Sequence, residues 1–311
     1  MRGMANPDVY LYGQTVLSTI HKLAGKFPDI DGYGEISRSF LCPGGEAMNA
    51  AMLLSGLGLT TAIAGPHWGA ETAAVLGRYA ERYGIDTSGI VRDPGFAGVR
   101  DLIIVDDRHR TVFGSFGAYF AQEPPRWGEP DPAAIRAARV VAIDPFFRSS
   151  SVAAARFAVE SGKPYITINC PLDGFLHRHA AANVVSGEFR RSAYAGIATE
   201  TLLAGYAKSS DGLTIFTAGQ GPILCARRGK PITTIEPCRV EAVSTLGAGD
   251  TFRAGVVFGI FQDWPDERTV RFASALAALL CTRLPIADNI PTLAEVSAFM
   301  AIVPTSRERS G

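Results

Sequence analysis

Short apolar runs alternating with longer alanine-rich stretches narrow what this chain can fold into more than any other feature. The runs fall at residues 8–12, 61–64, 102–105, 140–143, 165–168, 184–185 and 214–216. Runs this brief and this apolar read as buried strands. Helix-like segments separate most of them, at 47–57, 72–83, 150–161 and 268–283. Strand and helix in alternation predict an α/β fold of three layers, a parallel sheet with helices on both faces. In such sheets ligands bind at the carboxyl ends of the strands.

Two stretches break the alternation. Residues 21–41 are punctuated by Gly, Asp and Ser, and residues 99–119 read as strand, turn, strand with Asp106-Asp107 at the turn. On the residues alone they read as ordinary surface hairpins. The proline-rich stretch 124–132 reads as a stiff linker.

Composition excludes several classes. Of 311 residues 47% are hydrophobic and 19% charged, the balance of a globular protein. Thirty basic and thirty acidic residues cancel, so no global field recruits nucleic acid or an anionic membrane. The longest apolar runs fall well short of the roughly 20 residues that span a bilayer. The N-terminus has no apolar secretory stretch, which makes the cytoplasm the expectation. Cys42, Cys170, Cys225, Cys238 and Cys281 are scattered and read as reduced core thiols. His177-Arg178-His179 reads as a surface loop rather than a metal site.

The chemistry concentrates in Thr245-Leu246-Gly247-Ala248-Gly249-Asp250-Thr251-Phe252. A Gly-Ala-Gly turn at a helix start offers unpaired N–H groups and the positive end of the macrodipole to an anion. Asp250 beside it suits a base that takes a proton from a hydroxyl attacking phosphorus. The plainer reading is a first-turn acid that favours the helix dipole. Upstream, Gly44-Gly45 followed by Asn49 places a flexible turn before a helix, with an amide that can donate and accept toward a polyol. A helix-entry turn with a satisfied polar group is the structural alternative.

Together these segments resemble the ribokinase/PfkB family of carbohydrate kinases. Residues 244–250 resemble its DTxGAGD signature, residues 44–51 its GGxxxNxA, residues 84–91 its GVDTSxV and residues 217–221 its TLGxxG loop. The resemblance covers nearly the whole chain. It implies one ribokinase-like α/β domain over 1–311 with a small β lid from about 14–42 and 97–119. It also implies transfer of the γ-phosphoryl group of ATP, with Mg2+, to a hydroxyl of a sugar, nucleoside or polyol. Asp250 is then the base and the amides around Gly247, Ala248 and Gly249 the anion hole. Gln14, Ser18, Gly44, Gly45 and Asn49 are the expected acceptor-side residues; by position alone, Arg100 at the head of a lid strand and Asp144 after the 140–143 strand are expected to reach in beside them, Arg100 toward a phosphate or carboxylate and Asp144 toward hydroxyls. Thr217, Gly219, Gly221, Glu188 and Arg190 are expected at the nucleotide, Glu188 also toward magnesium through water. Exposed lid edges could pair two copies.

The chain departs from the family pattern at several positions. Ser18 replaces an acid, and an uncharged hydroxyl bonds more weakly than a carboxylate. Glu46 stands where ribokinases carry Lys. The NxxE element falls at Gly187-Glu188-Phe189-Arg190 with both signature positions changed, and Ser244 and Leu284-Pro285-Ile286 make potassium activation doubtful. The intact Gly-Ala-Gly-Asp favours an active kinase. The altered NxxE favours a catalytically impaired binding or regulatory protein.

Overall fold

The structure, a computed structural model, describes residues 6–107 and 109–302. Residues 1–5, which carry part of the cytoplasmic expectation, lie outside it. In chain order the elements are β1 (Val9–Tyr12), β2 (Val16–Leu23), β3 (Ile36–Gly44), α1 (Glu46–Gly56), β4 (Thr61–Ala64), β5 (Trp68–Gly69), α2 (Ala73–Arg82), β6 (Asp86–Gly89) and β7 (Arg92–Asp93). Then come β8 (Arg100–Val105), β9 (Arg110–Gly114), α3 (Phe116–Phe120), α4 (Pro132–Ala137), β10 (Val140–Ile143), α5 (Arg148–Glu160), β11 (Tyr165–Ile168), α6 (Phe175–Arg178), β12 (Ala182–Val185) and α7 (Gly187–Ala193). The chain closes with α8 (Thr199–Ser209), β13 (Leu213–Ala218), β14 (Gly221–Ala226), β15 (Thr233–Ile235), α9 (Ala248–Phe261), α10 (Asp266–Cys281) and α11 (Leu293–Ile302). A 3-10 turn at Ile286–Asp288 links the last two.

Nine strands form the main sheet in the order β15-β14-β13-β12-β11-β10-β1-β4-β6. It is parallel from β13 to β6, and β14 and β15 add an antiparallel edge. Strand β1 shows why the runs lack polar alternation. Val9 and Leu11 pack into a core with α1, α9 and α10, while Tyr10 and Tyr12 pack into a second with α4 and α5. Both faces are covered, so both parities are apolar. Each large side chain fully buried this way contributes about 1.5–3 kcal/mol. The chain leaves β1 for β4 on one side and returns to β10 on the other, opening a crevice at their carboxyl ends.

A second sheet, β3-β2-β8-β9, stands apart from the first, with β2 and β8 parallel and both outer pairs antiparallel. The apolar run at 102–105 belongs here and not to the main sheet. Asp106 forms the expected turn, its N–H donating to the His109 carbonyl at 3.0 Å and its Oδ1 accepting the His109 N–H at 2.6 Å. The lid's first piece runs on to Gly44, and its second stops at Gly114 because Phe116–Phe120 is helical.

Two local readings need correction. His177 is no surface residue: it is 1% exposed, its Nε2 lies 3.0 Å from the Tyr206 carbonyl and its Nδ1 3.1 Å from the Asn183 amide nitrogen. Burial holds its pKa below the ordinary value. The stretch 124–132 is anchored, since Trp127 is buried and its indole donates to Ser150 at 3.3 Å. The five cysteines are free thiols. Among the described residues no helix is long and apolar enough to cross a membrane.

Candidate active site

The floor of the site is built where β1 ends and α1 begins. The Gln14 carbonyl accepts the Ala47 N–H at 3.0 Å and the Met48 N–H at 3.3 Å, tying the post-β1 loop to the start of α1. Gly45 makes this approach possible. Its φ is +87, and a Cβ there would stand 2.6 Å from the Gln14 carbonyl oxygen. One turn into α1, Asn49 is buried and its Nδ2 donates to Asp250 Oδ2 at 2.8 Å. Asn49 Oδ1 and Gln14 Oε1 are buried with no hydrogen-bond partner among the described residues.

Asp250 stands at the start of α9. Gly247 caps that helix in the left-handed region at φ 67, with Ile286 packed where its side chain would be. The Ala248 N–H donates to the Thr245 carbonyl at 3.3 Å and the Thr251 N–H to the Gly247 carbonyl at 2.9 Å. The N–H groups of Gly249 and Asp250, second and third in the helix, therefore have no acceptor within it. Burial raises the Asp250 carboxyl above its usual range, with the Asp144 charge adding to the rise. The Asn49 hydrogen bond, Arg253 and Arg110 pull it back in part.

The lid closes over this floor and leaves a cavity of about 450 Å³. Of the residues singled out in the sequence, Gln14, Ser18, Gly44, Gly45, Asn49, Glu188, Gly247, Gly249 and Asp250 line it. The lining carries four acids, Glu46, Asp101, Glu188 and Asp250, against a single cation, Arg110. Burial, with the charges of Asp144 and Asp250, pushes the Glu46 carboxyl well above its ordinary range. Toward the carboxyl ends of β11 and β12, Asn169 and Ser186 join Glu188 on the wall. The Asn169 Oδ1 accepts the Ser186 N–H at 2.8 Å, and the Ser186 hydroxyl caps α7 by accepting the Phe189 N–H at 3.1 Å.

Several expected residues lie elsewhere. Arg100 points away from the cavity and pairs with Glu71 at the surface. Asp144 is fully buried, its Oδ1 paired with Arg253 and its Oδ2 accepting the Gln14 N–H at 2.6 Å, and it does not line the cavity. Ala248 does not line the cavity, and its amide is engaged. Thr217 is the penultimate residue of β13, and Gly219 at φ +62 turns the chain into β14 at Gly221, outside the cavity. Arg190 Nη2 donates to the Thr217 carbonyl at 2.9 Å and its guanidinium lies over Phe216, 4.7 Å from the ring centroid.

Asp101, Arg110, Phe116, Phe120, Phe146 and Ile286 line the cavity without having been singled out for it. Asp101 and Arg110 share the inward parity of the lid strands, which only the placement of the lid over β1 reveals. No group of three or more His, Cys, Asp or Glu among the described residues is placed to hold a metal ion. A single wall carboxylate such as Glu188 nonetheless fits Mg2+, which keeps most of its waters and takes one or two carboxylates beside substrate phosphates.

A nine-stranded sheet with a β lid over an acidic cleft at a helix start is the architecture of a sugar-kinase fold, and comparison bears this out. The model of the pfkB family carbohydrate kinases matches residues 35–293, and the chain belongs to that family. It is 27% identical over 292 residues to an ATP-dependent ribose-1-phosphate kinase of Halopiger xanaduensis, covering 89% of this chain and 92% of that one. Among solved structures it resembles a putative ribokinase from Agrobacterium tumefaciens, with a TM-score of 0.83, 24% identity and coverage of 95% and 98%. It also resembles an Arabidopsis thaliana ribokinase complexed with ribose and ATP, at 0.75, 16%, 96% and 99%. The protein is thus a carbohydrate kinase of that family, a phosphotransferase.

Proposed function

We propose that the protein transfers the γ-phosphoryl group of ATP to a hydroxyl of a sugar, nucleoside or related polyol. The observation that carries this reading is Asp250, facing the cavity from the start of α9 beside the free N–H groups of Gly249 and its own backbone. Asp250 takes the proton of the acceptor hydroxyl as it attacks, and Asn49 holds the carboxylate in place. A positioned base is worth roughly a hundred- to ten-thousandfold. The Gly247–Gly249 turn stabilises charge on the transferred group, each amide donor contributing about 3–4 kcal/mol.

Gln14, Ser18, Gly44, Gly45 and Asn49 surround the acceptor. A phosphate carried by the acceptor would meet Arg110. On the nucleotide side, Glu188, Asn169 and Ser186 face the phosphates, and the Thr217, Gly219 and Gly221 hairpin lies under the base. Arg190 serves by holding Thr217 rather than by touching phosphate. Bound Mg2+ would neutralise phosphate charge, with Glu188 reaching it through water. We expect no potassium requirement, since Ser244 spends its hydroxyl on the Leu246 N–H at 3.1 Å and Ile286 covers the turn.

The test is ADP release from ATP and Mg2+ across a panel of sugars, sugar phosphates and nucleosides. Turnover with one acceptor, lost in Asp250→Asn, supports the kinase. Ligand-induced thermal stabilisation without turnover favours the impaired binder. Two copies are proposed to meet through the outer lid face, where Leu41, Thr19, Leu102 and Phe113 form one cross-strand row and the three apolar members are 54%, 37% and 48% exposed. Sedimentation of Leu102→Asp against the parent checks this; an unchanged mass refutes it. A cytoplasmic location completes the reading.

A further inference from the structure

The inner face of the lid follows strand parity. Ser18 and Ile20 on β2, Asp101 and Ile103 on β8, and Arg110 and Val112 on β9 all line the cavity, while Leu102 and Phe113 face outward. Among the described residues the only carboxylate on this face is Asp101, set opposite Ser18 in the parallel β2–β8 register. Asp101 Oδ1 is buried and has no hydrogen-bond partner among the described residues. Burial raises its carboxyl above the ordinary range, and the Ser18 hydroxyl is what offsets that rise; no cation contributes. A carboxylate only accepts, and has room for about four hydrogen bonds. The protein supplies far fewer, so the missing donors must come from whatever fills the cavity.

We propose that Asp101, with Ser18 beside it, grips hydroxyl groups of the phosphoryl acceptor, and so determines specificity from the lid. The inference rests on the kinase reading above. It assigns the lid strand the acid that position 18 lacks, one strand over and on the same face. Donors suit the position and anions do not, because an approaching phosphate or carboxylate meets a desolvated negative charge. An acceptor phosphate is still compatible at Arg110, four residues further along the paired strands and roughly 13 Å away at about 3.3 Å per residue. The hydroxyls held by Asp101 are those adjacent on the ring, since a carboxylate accepts two neighbouring O–H donors in one plane.

The test compares matched pairs: ribose with 2-deoxyribose, ribose 1-phosphate with its 2-deoxy form, and inosine with its 2′- and 3′-deoxy forms. Values of kcat and KM are measured for the parent, Asp101→Asn and Asp101→Ala. We expect the parent to prefer the hydroxylated member of its best pair at least tenfold, mainly through KM. Asp101→Asn should cut that preference below threefold, chiefly by raising KM for the hydroxylated member. A preference undiminished in Asp101→Asn overturns the proposal, as does a parent with no preference. If the parent phosphorylates nothing, the kinase reading fails on its own, and equilibrium dialysis of the same pairs then judges Asp101. Lost discrimination in Asp101→Asn supports the clamp; retained discrimination, or no binding of any hydroxylated probe, rejects it.

Discussion

Arg253 lies three residues after Asp250 on α9 and ion-pairs with Asp144 at the end of β10, both side chains fully buried. Asp144 in turn accepts the Gln14 N–H, whose carbonyl holds the start of α1. The helix bearing Asp250 and the helix bearing Asn49 are thus fixed through one buried pair. Nε and Nη2 of Arg253 have no hydrogen-bond partner among the described residues.

Removing one member of this pair strands a buried charge, which costs about 3–5 kcal/mol. Arg253→Met should show that loss in urea unfolding. The double variant Asp144→Asn/Arg253→Met should recover most of it, because Asn still accepts the Gln14 N–H. Equal losses in single and double variants would refute the coupling.

Asp250→Asn should lower kcat by a hundredfold or more while nucleotide binding stays within about threefold. Calorimetric titration with ATP and a coupled assay separate the two effects. Parallel loss of both would mean that Asp250 organises the nucleotide rather than the acceptor.

The same substitution has a pH-dependent effect on stability. The Asp250 carboxyl is raised by burial, so the folded chain holds this proton more tightly than the unfolded one. That stabilisation is complete below the unfolded pKa and is lost as pH rises through the folded one. Asp250→Asn should therefore melt progressively higher than the parent as pH rises from the ordinary carboxylate value of about 4 through the raised pKa of the folded chain. A pH-independent difference in Tm would refute it.

Gly247→Ala should destabilise the protein by about 1–2 kcal/mol from its left-handed φ alone, with the Ile286 clash added. Ile286→Ala in that background should relieve the clash and leave the backbone cost. Chemical denaturation of Gly247→Ala, Ile286→Ala and the double variant separates the two contributions.

The main-sheet strands were legible because both faces are covered, which turns each into an unbroken apolar run. The lid was legible only in outline. Arg100 and Asp101 are neighbours on β8 with opposite parity, and nothing in the local sequence says which parity faces inward; the choice depends on how the lid sits over β1. Arg110 follows the same rule from the paired strand. Asp144 was read as reaching toward a ligand because it follows a central strand. Its true partner is 109 residues away, a spacing that no local pattern encodes.

Strand β2 starts two residues after Gln14, and β3 ends at Gly44, immediately before the glycine that opens α1. The cover and the acceptor turn are therefore one unbroken piece of chain. Any tilt of the lid acts directly on Gly44 and Gly45, so on the proposed kinase reading capturing the acceptor and seating its hydroxyl near Asp250 become a single mechanical event.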